Sequence, residues 1–171
     1  MTRRNRRKSD SQGVSRPSLR IRRATADDVE SVADLIVRTK RLNNEFDPLF
    51  AVVADAKRRA ERHLLSSIGS KDKLLLVAAE GPKIVGVLRA ELRERLFYEP
   101  HKEGFITDFY ILPEYRRKAL GDDILNQASS ELKRMGAQIL VADVPAQNEI
   151  ANRFYAKRGF RALTYLLGRS P

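Results

Sequence analysis

The sequence contains no cysteine, only two histidines and no run of eighteen apolar residues. The lack of cysteine excludes disulfides, thiolate metal ligands and cysteine nucleophiles. His63 and His101 are too few for a histidine-built metal site without carboxylate help, so no metal is expected. Neither a membrane span nor the apolar stretch of a signal peptide is present, so we expect a cytoplasmic protein without membrane contact.

Positive charge is in excess and is unevenly distributed. The formal net charge is +11, and residues 1–18 hold six basic residues against Asp10, or +5, which leaves +6 for the remainder. Because this stretch has almost no apolar content, we predict a disordered basic arm over 1–18 and a single domain over 19–171. The arm is interpreted either as a solvated tail without a specific partner or as a weak contact for the phosphate backbone of nucleic acid.

Hydrophobic periodicity and turn residues predict the element order β α α β β β α β α β. Strands are expected at 19–24, in two runs of 73–92 joined by a Gly-Pro turn, and at 104–112, 138–144 and 160–168; helices are expected from Thr25, from Asp47 to about Ser67, and over 120–135 and 148–158. The hairpin requires antiparallel neighbours, whereas a strand, helix and strand in succession require a parallel crossover. The sequence therefore predicts an α/β fold, a mixed sheet with helices on both faces.

The stretch PEYRRKALGDDIL, residues 113–125, joins the predicted central strand to a helix. Free backbone amides at a helix N-terminus together with the basic residues 116–118 favour a diphosphate ligand. The same basic residues are also consistent with a solvated loop. Asp122 and Asp123 oppose a diphosphate, so either the three cations offset them when the ligand is bound or the ligand is held weakly.

Two segments of the chain resemble the GCN5-related N-acetyltransferase (GNAT) family. The loop Arg116-Arg117-Lys118-Ala119-Leu120-Gly121 is similar to the family signature, except that Ala119 stands where glycine is usual, and NEIANRFYAKRGF, residues 148–160, resembles the closing helix. The resemblance covers roughly residues 19–168. It implies a mostly antiparallel central sheet flanked by helices, with two splayed parallel strands forming a cofactor cleft, and acetyl-CoA as co-substrate.

The resemblance also implies roles for individual residues. The diphosphate would bind the loop, the pantetheine arm would pair with the strand before it, a backbone amide near Ile111 would stabilise the oxyanion, and Tyr155 would protonate the leaving thiolate. The cofactor-binding residues implied are Phe109, Tyr110, Ile111, Arg116, Arg117, Lys118, Ala119, Leu120, Gly121, Asp122, Asn148 and Tyr155.

The general base and the acceptor stay open at the level of the sequence. Asp108 is a candidate base or a structural carboxylate, and Glu45 and Asp47 border the family's acceptor site, where they would attract a cationic amine. A protein N-terminus, a lysine, a polyamine and a small amine are all possible acceptors for an N-acetyltransferase, which would be a monomer or a homodimer. The alternative function is a non-catalytic CoA-binding module whose arm docks on nucleic acid or ribosomes.

Overall fold

The computed structural model describes residues 18–116 and 119–170. The predicted basic arm, apart from Ser18, lies outside the described residues, as do Arg117 and Lys118 of the diphosphate loop. Within the described ranges, no helix is both long and apolar enough to cross a membrane.

Five strands and four helices follow one another along the chain. They are β1 (Leu19–Arg23), α1 (Val29–Phe46), α2 (Ala56–Ser67), β2 (Lys73–Glu80), β3 (Lys83–Glu94), β4 (Lys102–Ile111), α3 (Leu120–Met135), β5 (Ile139–Ala142) and α4 (Glu149–Ala156). Single 3-10 turns at 26–28, 48–50 and 113–115 lead into the elements or connect them.

The strands form one sheet in the order β1-β2-β3-β4-β5. The first three pairs are antiparallel and the β4–β5 pair is parallel. This confirms the predicted mixed, mostly antiparallel sheet and places β4 between two neighbours.

Helices cover both faces of this sheet. Gly86 on β3 faces Ile124 of α3, since a Cβ placed on that glycine would lie 3.2 Å from Ile124. Arg89, three residues further along β3, points to the opposite face, where α1 supplies Lys40. The core therefore has two layers, with α1 and α2 on one side of the sheet and α3 on the other.

Local signals set the ends of two helices as predicted. Asp28 accepts a hydrogen bond from the backbone N–H of Thr25 at 2.8 Å, which caps the 3-10 turn that leads into α1, as the capping-box spacing predicts. Arg22 holds the same carboxylate through two contacts of 2.6 and 2.9 Å. Helix α3 spans the predicted 120–135 and ends at Gly136, whose φ of 109° favours glycine.

Two predicted elements are wrong. Asp47 caps a 3-10 turn by accepting from the N–H of Leu49 at 2.8 Å, and α2 begins only at Ala56. No strand forms over 160–168 in the described part of the chain, where Leu166 is 96% exposed. That segment has the composition of a strand, but a strand also needs a neighbouring edge to satisfy its backbone groups.

Candidate active site

Strands β4 and β5 pair over a short length and then separate. The parallel pairing runs from Glu103 opposite Ile139 to Ile106 opposite Ala142, while β4 continues to Ile111. The register of β4 against β3 shifts between Ile106 and Asp108, so Thr107 is an extra residue of the kind that bends a strand. Residues 109–111 therefore pair with β3 alone within the described ranges.

Residues 109–111, which pair with β3 but not with β5, direct their backbone groups away from β3 at alternate positions. In an antiparallel pair, hydrogen-bonding and non-bonding positions alternate along each strand. Leu112 donates its N–H to the carbonyl of Val85 at 2.9 Å. The backbone groups of residues 112 and 110 therefore hydrogen-bond to β3, whereas those of residues 111 and 109 do not. The N–H and C=O groups of Phe109 and Ile111 thus point into the gap opened by β5, and Arg116 Nε donates to the Ile111 carbonyl at 3.0 Å.

Helix α3 begins at the end of this gap. Ala119 precedes the helix with φ 56° and ψ 1°, a left-handed conformation that costs free energy for a residue with a Cβ. The amides of Asp122 and Asp123 donate to the Ala119 carbonyl at 2.9 and 3.1 Å. Among the described residues, none supplies an acceptor for the amides of Leu120 and Gly121, which are therefore the donors offered by the first turn.

Close packing joins the start of α3 to α4. A Cβ at Gly121 would lie 2.9 Å from Cε2 of Phe154, so this position requires glycine for the two helices to meet. Phe154 in turn packs edge-on against Phe109 of β4, with ring centroids 5.5 Å apart. The start of α3, helix α4 and residues 109–111 of β4 thus pack against one another.

Asp122 is neutralised by a residue that the sequence did not indicate. Arg158 binds its two carboxylate oxygens at 2.7 and 2.6 Å, and its guanidinium also lies 3.6 Å from the ring centroid of Phe154. The hydrogen bond from Arg158 holds the pKa of Asp122 below its ordinary value. The carboxylate at the start of α3 therefore has its own cation, 36 residues away in sequence.

Tyr155 is buried beside the gap. Its ring contacts Phe154 and Phe160 edge-on, with centroids 5.3 and 5.0 Å apart, and the residue is 8% exposed. Burial raises the pKa of the Tyr155 hydroxyl well above its usual value, and the negative charge of Asp108 raises it further. The phenol therefore keeps its proton at neutral pH.

Asp108 is a fully buried carboxylate held by two cations. Arg89 binds Oδ2 through Nε at 2.8 Å and through a terminal nitrogen at 2.6 Å. Lys40 Nζ lies 2.6 Å from Oδ1, an ion pair whose angles do not satisfy a hydrogen bond. Each carboxylate oxygen of Asp108 is therefore paired with a cation.

The same two cations line a cavity on the α1 and α2 side of the sheet. Its volume is about 370 Å³, and its wall consists of Ile36, Val37, Lys40, Phe50, Ala51, Val52, Val53, Ala56, Arg59, Ala60, His63 and Arg89. Since Asp108 pairs with Lys40 and Arg89 and its charge also acts on Tyr155, the cavity and the phenol share one buried carboxylate.

The other predicted site residues do not line the cavity. Glu45 is exposed near the end of α1, and neither it nor Asp47 lines the cavity. Asn148 accepts the N–H of Ala151 at 3.1 Å and so caps α4. His101, which is not one of the predicted site residues, is exposed in the β3–β4 connection, 2.8 Å from Glu99.

Sequence reasoning missed three residues of the site, namely Lys40, Arg89 and Arg158. Each is a single basic residue within an ordinary helix or strand pattern, and its importance depends on a carboxylate distant in sequence. Within residues 18–116 and 119–170, no group of three or more histidines or carboxylates is arranged to hold a metal.

Comparisons with known proteins identify the family of this chain. Residues 39–160 match the acetyltransferase (GNAT) family. An uncharacterized N-acetyltransferase of Archaeoglobus fulgidus is 24% identical over 144 residues, which are 84% of this chain and 93% of that protein. An aminoalkylphosphonate N-acetyltransferase of Salmonella typhimurium is 24% identical over 145 residues, 85% of this chain and 86% of that protein.

Solved structures show the same fold. A predicted acetyltransferase of Clostridium acetobutylicum, solved with acetyl-CoA, superposes with a TM-score of 0.72 at 16% identity, over 90% of this chain and 96% of that one. The gap beside β4, with outward-facing amides and a buried phenol, fits the cleft that the sequence resemblance implies for acetyl-CoA. This chain belongs to the GNAT family and is an acetyl-CoA-dependent N-acetyltransferase.

Proposed function

We propose that this enzyme transfers the acetyl group of acetyl-CoA directly to a primary amine bound in the cavity between α1 and α2. The observation that carries the proposal is the pair of outward-facing backbone positions, Phe109 and Ile111, at the point where β5 leaves β4. Backbone groups left unpaired inside a sheet need partners. The amide-bearing pantetheine arm supplies them to Phe109, the thioester oxygen accepts from the Ile111 N–H, and Arg116 already donates to the Ile111 carbonyl.

The cofactor extends from this edge to the start of α3. The amides of Leu120 and Gly121, which have no acceptor among residues 18–116 and 119–170, lie at a helix N-terminus, which favours a diphosphate. The ion pair between Arg158 and Asp122 removes most of the repulsion that this aspartate would exert on the diphosphate. Arg117 and Lys118, by the family resemblance, complete the loop.

The reaction is a direct acyl transfer. The amine nitrogen forms a bond to the thioester carbon, the carbon–sulfur bond breaks, and the sulfur leaves with its electron pair. Tyr155 gives its phenolic proton to that sulfur, and the N–H of Ile111 stabilises the oxyanion while charge develops. The amine nitrogen releases its proton to water in the cavity, and the phenolate is reprotonated from solvent.

Asp108 acts in this proposal as a positioning residue. Both of its oxygens are taken by cations, so it is poorly placed to remove a proton from the acceptor. Its charge fixes Lys40 and Arg89 in the cavity wall and raises the pKa of Tyr155. Glu45 has no part in the mechanism because it lies outside the cavity wall.

The test is amine-dependent thiol release by the full chain. Acetyl-CoA is supplied with neutral, cationic and anionic primary amines, thiol is followed by absorbance, and the N-acetyl product is identified by mass. We expect release that depends on the amine and matches product one to one. CoA binding by calorimetry with no amine acetylated above the hydrolysis background would contradict the proposal and favour a non-catalytic CoA-binding module.

A further inference from the structure

We infer that the acceptor amine carries an anionic group, a carboxylate or a phosphonate or phosphate, which binds the basic wall of the cavity between α1 and α2. The inference rests on the proposed function for the reacting end of the acceptor. It adds the chemistry of the other end, which decides which amines the enzyme selects.

The wall of the cavity carries positive charge only. Lys40, Arg59 and Arg89 line it, and no aspartate or glutamate does. The remaining wall is mostly aliphatic, apart from Phe50 and His63. A cavity of this kind suits a small ligand with a short apolar body and an anionic end.

The carboxylates behind the wall do not cancel this charge. Asp108 faces two cations, Lys40 and Arg89, so that pair of contacts leaves an excess of one positive charge. Asp55 pairs with Arg59 of the wall and also with Arg58, which does not line the cavity. The excess of positive charge in the wall therefore lies on its α1 and β3 side, while Arg59 adds hydrogen-bond donors on the α2 side.

Arg59 also has donors to spare. It binds Asp55 through Nε at 2.7 Å, and in the described part of the chain its two terminal nitrogens have no acceptor. Its side chain is 61% exposed, so the guanidinium is open to a ligand entering the cavity. A planar guanidinium with two free nitrogens matches a carboxylate or phosphonate in a bidentate contact.

The environment of His63, which also lines the cavity, agrees with this excess of positive charge. Burial lowers its pKa, and the positive charges of Arg89 and Lys73 lower it further, against smaller opposite effects from Glu91 and Asp108. A positive environment of this kind attracts an anionic ligand end and repels a second ammonium group. The expectation that Glu45 and Asp47 would draw a cationic amine has no counterpart in the cavity wall.

The experiment compares acceptors with and without an anionic group, in one pair that is nearly isosteric and in a second whose neutral member is also larger. The pairs are β-alanine with β-alaninamide, and 2-aminoethylphosphonate with its neutral diethyl ester, each assayed for kcat/KM per free amine. We expect the anionic member of at least one pair to be preferred by about tenfold, the scale of one charged hydrogen bond. The pair that shows the larger preference identifies the anion.

Two adjacent arginines provide a matched set of variants. Arg59→Gln removes a cation from the wall, and Arg58→Gln removes one that pairs with the same Asp55 but does not line the cavity. The preference for the anionic acceptor should fall about tenfold in the first variant and stay unchanged in the second.

A binding measurement separates this inference from the proposed function. 2-Aminoethylphosphonate and β-alanine are titrated calorimetrically into the CoA-saturated protein, where saturable binding weakened by Arg59→Gln alone supports the inference even if no amine is acetylated. Acetylation that favours neutral or cationic amines, equal effects of the two arginine changes, or no saturable binding of either anion would each overturn it while leaving acetyl transfer in place.

Discussion

Replacing Ala119 by glycine should stabilise the protein, because this alanine is held in a conformation that glycine adopts without strain. It is the single non-glycine residue with positive φ in the described ranges, and it directly precedes α3. Its carbonyl accepts the amides of Asp122 and Asp123, so the strained conformation is part of how the helix begins.

The expected gain is the difference between two opposing effects. A left-handed conformation costs a residue with a Cβ about 1–2 kcal/mol. Glycine offsets roughly 0.4–1 kcal/mol of this gain, because it makes the unfolded chain more flexible and so lowers the free energy of the unfolded state. The net effect of Ala119→Gly is therefore about 0–1.6 kcal/mol of added stability, centred at about 0.8 kcal/mol, and the central value raises Tm by about 2–3 °C for a chain of this length.

Urea unfolding with an unchanged m value measures this effect, and a second alanine provides its control. Ala156 is exposed in the last turn of α4 with ordinary helical geometry, so Ala156→Gly should lose about 0.5 kcal/mol. The two substitutions are chemically identical and opposite in expected sign. A loss of stability in Ala119→Gly equal to that in Ala156→Gly would refute the assigned loop conformation.

Three further substitutions test other contacts. Tyr155→Phe should preserve the fold and acetyl-CoA affinity while lowering kcat by about 100-fold, as expected for loss of a general acid; equal kcat with chemistry rate-limiting would remove the phenol from the mechanism. The hydrogen bond from Arg22 lowers the pKa of Asp28 from 3.8 to about 2, so its contribution is present above pH 3.8 and is lost as pH falls toward 2. Asp28→Asn should therefore lower the free energy of unfolding by about 1–2 kcal/mol at pH 7, measured by urea unfolding. The difference between the two proteins should shrink as the pH falls from 3.8 toward 2, and a difference that stays constant would contradict the ion pair. In calorimetry with CoA, Arg158→Gln should weaken binding about threefold by exposing the charge of Asp122, and Asp122→Ser should tighten it by a similar factor; effects of the same sign would place the diphosphate elsewhere.

Elements specified by local signals were predictable from the sequence. Gly136 ends α3 at the predicted residue, and the Gly-Pro turn at 81–82 joins the predicted hairpin, because both depend on residues adjacent in the chain. The final strand at 160–168 was predicted wrongly, since its apolar composition says nothing about whether a neighbouring edge is available.

The candidate site was predictable only where it consists of backbone. The end of β4 and the start of α3 follow from the order of elements, and the resemblance located both. The side chains that set the charge of the site could not be predicted in the same way. Arg89 meets Asp108 from 19 residues away and Arg158 meets Asp122 from 36, so neither pair forms a local pattern.

Residue-resolved amide hydrogen exchange, with and without CoA, tests most directly the claim that the gap beside β4 is the cofactor cleft. The amides of Phe109 and Ile111 face the gap, whereas that of Tyr110 faces β3. We expect CoA to slow exchange at Phe109 and Ile111 and to leave Tyr110 unchanged. Unchanged exchange at Phe109 and Ile111 with CoA bound would contradict the account.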